Sequence, residues 1–356
     1  MLDNLKNIPV FLLFMVAIFG KAHDFPKKHI KQSEEKEISR KENNNPKING
    51  VSFVATPKAF KDNPFTPLQH LGANWISVIP YGFTEKGANT VHYGSKWQWW
   101  GERPEGVIET IQKAHKNGLH VMLKPQIYVP DSWPGGIAFS NEKDWQTWEK
   151  SYREFLQKFV HIADSMQVEM LCIGTEFAYS TGHRGTFWKS LIKQIRKEFK
   201  GKITYAANWD EYKHIDFWAQ LDYIGINAYF PLSKSNIPEV EVLVQKWQPM
   251  LGDINRISTQ ADKPVIFTEY GYLSVDKCCY NTWDLEKNID ACQINEKAQA
   301  NALEALYKVF YPQKCWQGGF LWKWFPDMQG HEGYPEKDYT PQGKLAENIV
   351  KKWFHL

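Results

Sequence analysis

P-V-I-F-T-E-Y-G-Y, Pro264 to Tyr272, is the stretch on which the fold assignment turns. Proline suits the first residue of a strand, where its missing N–H is least needed. Val265, Ile266 and Phe267 continue as the β-branched and aromatic run of a strand buried on both faces. Polarity returns at Thr268-Glu269, so Glu269 is expected where the strand leaves the core. Met170 to Phe177, M-L-C-I-G-T-E-F, has the same form and places Glu176 at a second strand end. A barrel enzyme needs two such glutamates if both carboxylates are to meet over one substrate bond.

Working outward, short apolar runs alternate with longer amphipathic ones from Ile48 to the C-terminus. Expected strands are Asn49 to Ala55, Asn74 to Tyr81, His120 to Tyr128, Val168 to Phe177, Lys202 to Trp209, Leu221 to Phe230, Pro264 to Tyr272 and Gly318 to Phe325. Helices are expected over Glu105 to Asn117, Asp144 to Met166, Phe187 to Phe199, Glu239 to Gln260, Glu296 to Phe310 and Gln342 to Trp353. Gly118 and Gly201 fall where a helix end accepts positive φ. Eight strands in β/α alternation suit a (β/α)8 TIM barrel. A doubly wound open sheet would alternate in the same way, but Ala55-Thr56-Pro57-Lys58 cannot make the glycine-rich phosphate turn.

Residues 1–22 carry Lys6, an apolar run from Ile8 to Phe19, and the small residues Gly20 and Ala22, the form of a signal peptide for export. A retained anchor is the weaker reading, because the run falls short of the roughly 20 residues a span needs. Residues 23–47, dense in Lys, Glu, Ser and Asn, are expected to be a disordered charged linker, and 48–356 to form one catalytic domain. Lys and Arg number 43 against 40 Asp and Glu, a net charge of +3 with no basic block in the domain, which argues against nucleic acid as a partner. No nucleotide or flavin motif is present, and no cofactor is expected.

Active sites of such barrels lie at the C-terminal strand ends. Reading those ends collects Tyr81, Lys124, Gln126, Glu176, Asn208, Trp209, Asn227, Tyr229, Glu269 and Trp322. Glu176 and Glu269 suit glycosidic cleavage, in which a protonated carboxyl serves the leaving oxygen and an ionised one attacks or activates water. The plain alternative is that both are strand-end residues in ordinary ion pairs. Lys124 is either a donor to sugar hydroxyls or an ion-pair partner for a nearby glutamate. Trp97, Trp99 and Trp100 in the loop after strand 2 are either stacking platforms for sugars or the loop's own anchor. The loop Asp131 to Gly136 after strand 3 lies on the same face. Cys172 reads as a buried thiol, and an exported setting permits a bridge such as Cys279 to Cys292. No metal site is expected, because the cysteines lack a C-x2-C pair and no histidine is near before His331.

The motifs G-V-S-F at Gly50 to Phe53, I-G-T-E-F at Ile173 to Phe177, N-A-Y-F at Asn227 to Phe230, T-E-Y-G at Thr268 to Gly271 and G-F-L-W-K-W at Gly319 to Trp324 together resemble glycoside hydrolase family 113. The resemblance implies a retaining barrel glycosidase acting on β-1,4-mannan, with Glu176 as acid/base and Glu269 as nucleophile. It implies further that Tyr229 bonds the nucleophile and that Trp322 floors the sugar beside the cleaved bond. Thr175 departs from the wider clan, which has asparagine there for the sugar 2-hydroxyl; either that contact is absent or a group such as Asn208 supplies it. A β-mannan or related β-glycan is thus the expected partner, bound by a monomer through Tyr81, Lys124, Asn208, Trp209, Asn227, Tyr229 and Trp322.

Overall fold

The computed structural model describes residues 46–328 and 333–356. The signal peptide and nearly all of the linker expected at the N-terminus lie outside the described residues. The ammonium of Lys47 is bound by the carbonyls of Gln313 and Trp316. The folded unit runs from there to Leu356.

Eight parallel strands close into a barrel: β1 (Ile48–Phe53), β2 (Trp75–Val78), β3 (His120–Leu123), β4 (Met170–Thr175), β5 (Lys202–Asn208), β6 (Ile224–Asn227), β7 (Val265–Tyr270) and β8 (Trp316–Trp324), with β8 pairing back to β1. Every expected strand is present, most of them shorter than expected, and two are broken by proline. The runs expected over Asn74 to Tyr81 and His120 to Tyr128 break at Pro80 and Pro125, which supply no N–H to a ladder. Beyond the breaks, Tyr81–Phe83 and Gln126–Tyr128 pair with each other as a separate parallel sheet beside the mouth.

The crossovers are α1 (Thr66–Leu71), α2 (Pro104–Lys116), α3 (Glu142–Ser165), α4 (Gly185–Glu198), α5 (Val240–Ala261), α6 (Glu296–Phe310) and α7 (Leu345–Phe354). The six expected helices correspond to α2 through α7. The six-residue α1 was not expected, and the crossover from β5 to β6 has only the 3-10 turns Tyr212–His214 and Trp218–Gln220. α3 shows how the sequence makes these elements. Asn141 caps it by accepting from the Asp144 N–H at 3.0 Å, and Trp145, Trp148, Tyr152, Phe155, Leu156 and Phe159 follow at helical spacing as its buried stripe. Trp148 and Tyr152 stack at 5.2 Å, and the Tyr152 hydroxyl reaches the Ile173 carbonyl of β4 at 2.8 Å. Gly118 has φ +74, as a helix end requires. Gly201 does not: a Cβ there would lie 2.8 Å from the Val168 carbonyl oxygen, so close approach, not positive φ, explains it.

Packing divides in two. Outward-facing strand residues join the helices in one large core. Inside the barrel, Ile48, Met122, Met170, Cys172, Ala206, Ile266 and Phe320 form an apolar plug. That plug closes the barrel from below, so polar groups in the layer above face water only through the mouth. All five cysteines are free thiols, so Cys279 and Cys292 are not bridged. Among the described residues, no group of three or more His, Cys, Asp or Glu is placed to hold a metal ion.

Candidate active site

Both glutamates reach the mouth through an irregularity in their strands. In β7, Ile266 points into the plug and Phe267 outward against Trp247 and Phe310. Strict alternation would then send Glu269 outward. However, β7 gains one residue against both neighbours: Phe267 and Glu269 oppose Ile226 and Asn227, while Phe267 and Tyr270 oppose Gly319 and Leu321. This bulge returns the Glu269 side chain to the mouth. β4 has a similar slip, with Cys172 opposite Thr204 and Thr175 opposite Ala206. Glu176 then takes φ +56, an uncommon conformation for a residue with a Cβ, and donates its N–H to the Ala206 carbonyl at 2.8 Å.

The two carboxyl groups have different surroundings. Glu269 is buried, and its Oε1 accepts from the Lys124 ammonium and from the Gln126 amide at 2.9 Å. Its Oε2 accepts from the Tyr229 hydroxyl at 2.9 Å. Lys124 is 0% exposed, so its charge is spent on Glu269; of its two expected roles, the structure shows the ion pair. Among the described residues, Glu176 meets no cation at hydrogen-bond range. Its Oε1 accepts from Asn227 Nδ2 at 2.9 Å and its Oε2 from Trp133 Nε1 at 2.6 Å. Burial, and then the charge of Glu269, raise the Glu176 pKa above the ordinary carboxylate range, against a smaller opposing effect of Asn227, Trp133 and Lys124. Asn227 spans both halves of the site, since its Oδ1 accepts from Thr268, the residue before Glu269, at 2.8 Å.

The remaining expected residues lie on two rims. Tyr81 and Trp322 line a cavity of about 300 Å³ together with Trp99 and Glu102. Trp99 and Glu102 also border a groove of about 750 Å³ that runs on past Tyr93 and Trp97. Gln98 and Arg103 anchor this loop: the buried Gln98 amide donates to the Tyr81 carbonyl at 2.8 Å, and Arg103 to the Gln98 carbonyl at 2.7 Å. Trp97 remains 83% exposed and Trp99 39%, so these two indoles do not anchor the loop, whereas Trp100 does, its Nε1 donating to Glu109 of α2 at 2.6 Å. On the opposite rim Trp209 stacks on Trp283 at 6.1 Å, while Asn208 Oδ1 accepts from its own neighbour, the Trp209 N–H, at 2.9 Å.

Sequence reading missed Trp133 as a partner of Glu176, because a loop tryptophan five residues beyond a strand has no period to place it. It also missed Glu211. This carboxyl is 5% exposed and accepts from the Tyr205 and Thr181 hydroxyls at 2.8 Å each and from the Asn208 N–H at 3.0 Å. Burial, opposed by these donors, pushes its pKa up to about 7.

A polar layer with two unlike glutamates, set on an apolar plug at the strand ends of a closed barrel and opening into an aromatic-edged groove, is the constellation of a barrel glycoside hydrolase. The chain belongs to glycoside hydrolase family 113, whose model matches residues 55–344. Solved structures agree in fold. A family 113 β-mannanase from Alicyclobacillus acidocaldarius, in complex with ManMIm, superposes with a TM-score of 0.74 at 24% identity, covering 87% of this chain and 97% of that one. A family 113 β-1,4-mannanase gives a TM-score of 0.73 at 23% identity, covering 87% and 99%. A β-glucuronidase from Ruminococcus gnavus gives 0.59 at 16%, over 87% of this chain and 50% of that one. A search of curated proteins found no match.

Proposed function

We propose that this glycoside hydrolase is a retaining endo-β-1,4-mannanase that cleaves internal bonds of mannan or glucomannan by double displacement. The observation that carries the mechanism is the asymmetry of the carboxyl pair. Glu269 accepts from Lys124, Gln126 and Tyr229, an environment suited to an acceptor-only carboxylate acting as nucleophile. Glu176, with its pKa raised by burial and by Glu269, is suited to carry the proton for the leaving oxygen and then to act as base toward water. Mannan as substrate is supported by family membership and by the β-mannanase neighbours. Endo action is supported by the groove that continues from Trp322 past Trp99 to Trp97, which leaves room for further sugars on that side of the site. On the strength of the apolar run Ile8 to Phe19 we also propose that the enzyme works outside the cytoplasm.

The test is a product assay on mannan, glucomannan, galactomannan, cellulose, xylan and galactan, with Glu176→Gln and Glu269→Gln alongside. Short manno-oligosaccharides released with a β-anomer formed first, and lost in both variants, are the expected result. Cleavage of a different glycan overturns the substrate, and an α-anomer formed first overturns retention. Release of mannose alone points to exo action. Sugar binding without cleavage leaves a non-catalytic barrel.

A further inference from the structure

The residue after Glu176 provides the starting point. Glu176 turns out of β4 through the left-handed region, so the next amide, Phe177 N–H, leaves the strand ladder and needs another acceptor. It donates to the hydroxyl of Tyr205 on β5 at 2.7 Å. That hydroxyl has a single proton, which it gives to Glu211 Oε1 at 2.8 Å. A carboxylate at 211 therefore sets the direction of the tyrosine hydroxyl and leaves its lone pair free for Phe177. Thr181, in the short helix Ala178–His183 that follows Glu176, donates to the same oxygen at 2.8 Å. The other oxygen takes the Asn208 N–H at 3.0 Å. Glu211 and Tyr205 are buried, at 5% and 0% exposure, so neither meets solvent or sugar.

We propose that Glu211 is a positioning residue for the proton-transfer step: through Tyr205 and Thr181 it pins the backbone on the C-terminal side of Glu176, and so holds the turn that aims the acid at the leaving oxygen. The proposal rests on the reading of Glu176 as acid/base. Glutamine at 211 is not a neutral replacement. Its oxygen still accepts from Tyr205 and Thr181, but its NH2 confronts the Asn208 N–H, donor against donor. Phenylalanine at 205 leaves Phe177 N–H without its acceptor and deprives Glu211 of a donor.

A general loss of structure slows every substrate alike, whereas a misaimed acid slows only substrates whose leaving group needs a proton. The experiment therefore compares kcat/KM, which reports glycosylation, for two β-manno-oligosaccharide glycosides: one with a methoxyphenyl leaving group and one with 2,4-dinitrophenyl. Glu211→Gln, Tyr205→Phe and the milder Thr181→Val are measured beside wild type and Glu176→Gln, with thermal melts to confirm folding. The expected result is a loss of about 10–100-fold on the methoxyphenyl substrate for Glu211→Gln and Tyr205→Phe, with the dinitrophenyl substrate within about threefold of wild type. Glu176→Gln should show the same split, only larger. Equal losses on both substrates, or none on either, overturn the positioning role while Glu176→Gln keeps its split. If Glu176→Gln itself shows no split, the acid/base assignment fails and this proposal with it. Should Glu211→Gln and Tyr205→Phe fail to fold, Thr181→Val decides, its split being expected in the same direction but smaller.

Discussion

Replacing Glu211 by Gln should change how stability depends on pH, by an amount the structure sets. A glutamate ordinarily titrates near 4.5, and burial pushes this one up to about 7. Between those values the native state binds more protons than the unfolded chain, so this group's contribution to stability is greatest at acid pH and falls as pH rises. The fall is about 1.4 kcal/mol for each pH unit, or about 3 kcal/mol across the window from roughly pH 4.5 to pH 7. Glutamine does not titrate. Urea unfolding of wild type and Glu211→Gln at matched pH values isolates the term, because other titrations are common to both proteins and drop out of the difference. The wild-type advantage should decline by about 3 kcal/mol from the acid to the neutral end and then level off. A difference flat to within about 1 kcal/mol would rule out the raised Glu211 pKa. So would one that rises with pH, since the three donors from Tyr205, Thr181 and Asn208 would then outweigh burial.

Asn227→Ala removes a hydrogen bond that favours ionised Glu176, so the Glu176 pKa should rise and the alkaline limb of the kcat/KM profile should move to higher pH. Tyr229→Phe deletes a donor to Glu269 Oε2; kcat/KM should fall about 10–100-fold, the equivalent of a charged hydrogen bond, with little change in the thermal midpoint. Lys124→Met strands a buried carboxylate beside a fully buried apolar side chain, and urea unfolding should show a loss of about 3–5 kcal/mol together with loss of turnover.

The barrel and the placing of a glutamate at two of its strand ends were legible in local sequence. Buried parallel strands are written as unbroken apolar runs such as Val265-Ile266-Phe267, and their helices as stripes such as Trp145 to Phe159, because burial on two faces or on one is a local property of composition. Thr-Glu at the ends of two such runs was legible for the same reason. What the tertiary structure decided is how those carboxyls are aimed and what each one meets. Alternation points Glu269 away from the mouth, and only an extra residue counted against β6 and β8 brings it back, which no single strand records. Proline ended two strands early, and its effect on the partner run, the separate sheet of Tyr81–Phe83 with Gln126–Tyr128, depended on both proline breaks aligning in space. Lys124 reads the same in sequence whether it serves sugar or Glu269; its lack of any exposed surface decided for Glu269. Trp133 and Glu211 owe their roles to partners 43 and 30 residues away, Glu176 and Thr181 respectively. Hydrogen bonds of that reach follow from closure of the barrel, which sets eight strand ends around one mouth, and local pattern carries no trace of it.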